Sequence, residues 1–143
     1  MNKPLEEVYI YLIERTARRF KKTSQMVFKE HGIDLTGDQW VVLKRISERP
    51  GINQKEIADT TYKDPASVTR ILDLMEKKQL VVRQPIPGNR RAYGLELTKA
   101  GADLVNKILP LAVDLRAQGI DGISEQDFET FKKVLNTIYK NFE

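Results

Sequence analysis

The chain has 143 residues, no cysteine, one histidine, 41% hydrophobic and 31% charged residues, and a net charge of +4. That composition suits one folded, soluble domain spanning residues 1–143, and it excludes disulfide frameworks, cysteine zinc sites and thiol chemistry. No apolar run reaches the roughly 20 residues of a membrane span, and "MNKPLEEVYIYLIER" lacks the pattern of a secretory signal, so no membrane partner and a cytoplasmic location are expected.

In chain order, Leu5, Val8, Tyr9, Leu12, Ile13, Phe20 and Val27 predict a helix from Leu5 to about Lys29. "HGIDL" ends it, with Gly32 suited to the left-handed position and His31 placed to meet the terminal carbonyls rather than a metal. Thr36 with Gln39 is a capping-box signature for a second helix, stopped by Pro50 and Gly51. Asn53 with Glu56 repeats the signature for a short third helix. Asp64 and Pro65 open a fourth, on which Val68, Ile71, Leu72 and Met75 share a face.

"VVRQPIPGNRRAYGLELT" then reads as two strands around a turn, with Tyr93, Leu95 and Leu97 alternating against Gly94, Glu96 and Thr98. Pro85 and Pro87 cannot donate to a ladder, so the first strand is expected at an edge or to end early. Thr98 caps a fifth helix, which Pro110 is expected to kink. Ser124 caps a sixth, striped by Phe128, Phe131, Leu135, Ile138 and Phe142.

The predicted fold is mainly α with a small β-hairpin. It is a winged helix-turn-helix at residues 36–98, flanked by helical regions at 1–31 and 99–143. Between Tyr62 and Lys99 there are eight basic and four acidic residues, so this region holds the whole positive excess. An anionic partner is expected there, with double-stranded DNA the first candidate. Pro65, Ala66, Ser67, Thr69 and Arg70 form the small, polar face that a recognition helix needs to approach base edges. Arg70 is the candidate for bidentate contact with guanine. Ser67 and Thr69 either donate to phosphate or base, or are plain helix surface. Gln54, Asn89, Arg90 and Arg91 complete the candidate DNA-contacting set.

"NQKEIADTTYKDPASVTRILDLMEKKQLVVRQPIPGNRRAYGLELTKAG" resembles the core of the MarR family of bacterial transcriptional regulators, and the flanking helices resemble that family in order and length. The resemblance implies a homodimeric winged-helix repressor or activator in which the first and last helices of two chains interleave, and a pocket that takes a small effector. By position it assigns Arg91 to the minor groove, with Arg90 as the alternative. Where the family's wing usually carries an acid two residues before that arginine, this chain has Asn89.

The terminal apolar stripes, represented by Leu5, Val8, Leu12, Phe128, Phe131, Leu135, Ile138 and Phe142, are candidates for the dimer interface. A two-fold dimer would present two recognition helices to a pseudo-palindromic site. Tyr11, Trp40 and Tyr62 are either walls of an effector pocket or core packing.

Catalysis is not expected, and no cofactor or metal is. There is no phosphate-binding glycine loop and no nucleophile with a histidine partner. The acids at Asp121 and Glu125 to Asp127 fit a helix start. The competing reading is a winged-helix module that binds protein without sequence-specific DNA binding. The cationic helix and wing speak against it.

Overall fold

Among the described residues, side-chain caps set the starts of five α-helices, all but the first. The computed structural model describes residues 2–143, apart from the side chain of Arg90. Helix α1 (Tyr9–Glu30) is preceded by a 3-10 turn at Leu5–Glu7 rather than continuing from it. Val8 between them is extended (φ −90°, ψ 116°), so the helix expected from Leu5 begins four residues later. At the other end the His31 ring lies 2.9 Å from the Val27 carbonyl through Nδ1, and Gly32 takes φ +68°.

Helix α2 (Gly37–Glu48) starts with both halves of the Thr36–Gln39 capping box made, at 2.9 and 3.1 Å. Helix α3 (Gln54–Thr61) has only half of its box. Asn53 accepts from the Glu56 backbone at 2.8 Å, but the Glu56 carboxylate takes the Asn53 side-chain amide instead of its backbone. The reason is that Asn53 also belongs to strand β1 (Ile52–Asn53).

That strand makes a three-stranded antiparallel sheet where the sequence predicted two strands. The order is β1, β3 (Asn89–Leu97), β2 (Val81–Ile86). Ile52 pairs with Leu95 and Asn53 with Gly94. A Cβ on Gly94 would sit 2.7 Å from the Gly51 carbonyl oxygen, so glycine is what lets β1 approach. Strand β2 is an edge, as its proline requires, and its register shifts between Pro85 and Ile86.

Helix α4 (Pro65–Lys77) packs across α2 and α3 with Val68, Leu72 and Met75 fully buried and Ile71 half-buried. Each of those buried side chains is worth about 1.5–3 kcal/mol relative to exposure. Val42, Leu43 and Ile46 of α2, Ile57 of α3, Val81 and Leu95 complete this core.

Helix α5 (Lys99–Gly119) begins on Thr98, whose hydroxyl donates to the Gln79 carbonyl at 2.7 Å and accepts from the Gly101 N–H at 3.0 Å. Gly101 lies so close to the Leu80 carbonyl that an added Cβ would overlap its oxygen. That oxygen already accepts from the Thr98 N–H, so it cannot retreat without losing a bond. Gly101→Ala is therefore expected to destabilise the fold by about 2 kcal/mol. In urea the midpoint should drop with little change in slope; an unchanged midpoint would contradict this packing.

The chain divides into two compact units at Pro110, inside α5. In the second unit α6 (Glu125–Asn141) starts on Ser124, which accepts from the Asp127 N–H at 3.1 Å. Phe128 and Phe131 stack at 6.4 Å. No residue of α6 is buried.

Candidate nucleic-acid interface

Because Val68, Leu72 and Met75 are anchored inside, the first turns of α4 turn Pro65, Ala66, Thr69 and Arg70 outward, all exposed, with Ser67 half-buried. Asp64 accepts from the Ser67 backbone at 2.9 Å through Oδ1 and from the Ser67 hydroxyl at 2.6 Å through Oδ2. These bonds, the hydroxyl's foremost, hold the Asp64 carboxyl below the usual carboxylate range. Arg70 donates from its guanidinium to the Ser67 oxygen at 3.1 Å. Thr69 donates to the Pro65 carbonyl at 3.0 Å and accepts from the Gln54 side chain at 2.5 Å. Both hydroxyl protons that the sequence offers as donors to DNA are thus directed into the protein.

Gln54, the first residue of α3, links two parts of the surface. It bonds Thr69 of α4. It also lines a groove of about 280 Å³ with Asn53, Lys55, Arg83, Arg91 and Tyr93. Arg91 is exposed on the wing, beyond a tip shaped by Gly88 at φ +82°. Asn89 accepts from the backbone N–H of Arg91 at 3.2 Å. It therefore orients the main chain rather than the guanidinium, an Asx-type turn. The side chain of Arg90, the alternative groove residue, lies outside the described residues. Lys55 was not singled out in the sequence, although its place one residue into the short helix pointed to it.

The positive excess divides by role. Lys63 binds Asp38 at 2.9 Å, Lys78 binds Asp34 at 3.0 Å, and Arg83 binds Asp73 at 3.3 Å and also Glu76. These pairs brace elements against one another. The Lys63 hydrogen bond is the main reason the Asp38 carboxyl titrates below its usual range, with Lys21 adding to it. Arg70 bonds only a neutral hydroxyl, and Arg91 has no ion pair among the described residues. The two arginines expected to meet DNA are among the cations of this region that no ion pair of the described residues engages, as are Lys77 and Lys99.

The other candidate residues are scattered. Tyr11 lines a groove of about 410 Å³ on α1 with Glu14, Arg15, Arg18, Arg19 and Lys22. Trp40 is half-buried on α2, and Tyr62 is exposed at the end of α3, so neither forms a wall with Tyr11 there. The cations of that groove recur at helical spacing in "ERTARRFKK", a signal present in the sequence but not used. Of the apolar candidates, Leu5, Phe131 and Phe142 are exposed, while Val8, Leu12, Phe128, Leu135 and Ile138 are half-buried.

Residues 35–93, which include this whole surface up to the wing, match the model of the MarR family. The chain is 29% identical over 134 residues to the HTH-type transcriptional regulator YybA of Bacillus subtilis, covering 89% of this chain and 83% of the relative. Over residues 35–93 the chain resembles the MarR family. The HTH-type transcriptional repressor NicR of Pseudomonas putida is also 29% identical, over 114 residues covering 76% and 72% of the two chains. In structure it is similar to MepR of S. aureus in its DNA complex, with a TM-score of 0.87, 21% identity, and coverage of 96% and 99%. The MarR-family fold fits the observed six helices and small antiparallel sheet, and its members are transcriptional regulators, not enzymes. No helix among the described residues is long and apolar enough to cross a membrane.

Proposed function

We propose that this chain is a MarR-family regulator, a homodimeric, sequence-specific repressor. Its two α4 helices read half-sites of a pseudo-palindromic operator about one DNA turn apart. The observation that carries this reading is the exposed Pro65, Ala66, Thr69 and Arg70, held outward by the buried Val68, Leu72 and Met75, beside an exposed Arg91 with no ion pair among the described residues. In this reading residues 36–98 form the DNA-binding region, and residues 1–31 and 99–143 supply the dimerisation helices of one domain. Arg70 contacts bases, Arg91 enters the minor groove, and Gln54, Pro65, Ala66, Ser67, Thr69 and Asn89 shape the contact. The repressor assignment is supported by the relative NicR, a repressor by name.

Support for the homodimer comes from α6, an amphipathic helix with large apolar side chains and no buried residue. An effector that releases the DNA has a place in the α1 groove, where Arg15, Arg18, Arg19 and Lys22 against a single Glu14 favour an anion. A location in the cytoplasm follows from action on DNA. A DNA titration at increasing salt separates this reading from a protein-binding winged helix. A steep fall in affinity is expected; indifference to salt, or no binding, would remove the regulator reading.

A further inference from the structure

Arg70 is a long side chain on an exposed helix face, and free rotation there would cost it entropy on meeting a base. The structure does not leave it free. We propose that Asp64, acting through Ser67, is a positioning group for Arg70. The carboxylate fixes the hydroxyl, and the hydroxyl fixes the guanidinium over the first turn of α4. This deepens the DNA-binding reading and rests on Arg70 being the base reader.

The polarity of the chain follows from the donors available. A carboxylate only accepts, so the 2.6 Å bond from the Ser67 hydroxyl to Asp64 Oδ2 consumes the one proton that hydroxyl has. Ser67 is left with lone pairs, and Arg70, which only donates, meets them at 3.1 Å. Asp64 is itself immobilised, because its other oxygen caps the helix at 2.9 Å from the Ser67 N–H and Pro65 sets the backbone after it. Three residues at i, i+3 and i+6 thereby run from the cap to the reading side chain. A charged acceptor at the far end strengthens the hydroxyl as an acceptor for Arg70.

Two substitutions cut the relay without cutting the cap. Ser67→Ala removes the hydroxyl but keeps the backbone N–H that Asp64 caps. Asp64→Asn keeps a capping oxygen, since asparagine is as good a cap as aspartate. Its amide would donate to the Ser67 oxygen, taking one of its two lone pairs and freeing the hydroxyl proton, so the charged anchor of the relay is lost. Ser67→Thr retains the hydroxyl and serves as the conservative control.

The experiment uses the full chain and DNA that the parent protein selects from a random-sequence pool. Affinity is measured for that DNA and for single-base variants of it, with Arg70→Ala marking the base pair that Arg70 reads. Thermal unfolding checks that each variant is folded. Ser67→Ala and Asp64→Asn should each lose about three- to ten-fold of the discrimination at that one pair, with discrimination at the other pairs kept, and Ser67→Thr should recover it. If Arg70→Ala loses discrimination while the two relay variants keep the parent's, the relay is wrong and the docking stands. A uniform loss over all sequences in Ser67→Ala would also overturn it, making Ser67 a phosphate contact. If Arg70→Ala itself changes no base preference, the base-reading role falls first.

Discussion

Replacing Phe131 and Ile138 together by aspartate is expected to convert the protein to a monomer and lower its affinity for selected DNA by about 10²–10⁴. The two positions lie seven residues apart on one face of α6, where Phe131 is 53% exposed and no residue of the helix is buried. Carboxylates there would have to be desolvated in any helix-to-helix interface, a cost that apolar packing cannot offset. The monomer would still carry one intact α4. The loss therefore comes from binding one half-site instead of two linked ones. Light scattering alongside the DNA titration checks this. A double variant that keeps the parent's mass would place the interface elsewhere.

Arg70→Ala and Arg91→Ala are expected to fail in different ways. Arg70 sits on the outward face of the recognition helix, so its loss should cost about 1–3 kcal/mol of discrimination at one base pair, up to roughly 100-fold, while non-specific binding persists. Arg91 stands on the wing, with its backbone held by Asn89. Its loss should weaken binding to all sequences and reduce the salt slope by about one. Affinities for selected and scrambled DNA at several salt concentrations separate the two patterns. Two variants with the parent's behaviour would show that α4 and the wing do not face the DNA.

What was legible in the sequence was local. Thr36, Asn53, Asp64 and Ser124 each accept from a backbone N–H three residues on, so the side chain and its partner lie within one turn. The exposed face of α4 followed from the spacing of Val68, Leu72 and Met75. Strand β1 was not legible, because two residues, Ile52 and Asn53, become a strand only by pairing with Leu95 and Gly94, about forty positions away. For the same reason the sequence counted Lys63, Lys78 and Arg83 with the ligand-facing cations, when distant or cross-element acids claim them.

Asn89 shows a finer limit. It stands where the resembled family carries an acid, and the bond it forms is to the Arg91 backbone. The Asp64–Ser67–Arg70 spacing was visible, but which way the hydroxyl points depends on rotamers that a sequence does not specify.

The central claim is that α4 and the wing form a DNA-binding face. Its most direct test is the affinity of the full chain for pool-selected duplex DNA between about 50 and 200 mM salt. A fall of about 10³ or more, linear in the logarithm of salt concentration, is predicted, with tighter binding to selected than to scrambled DNA throughout. Binding that does not change with salt, or no preference for the selected sequence, would contradict it.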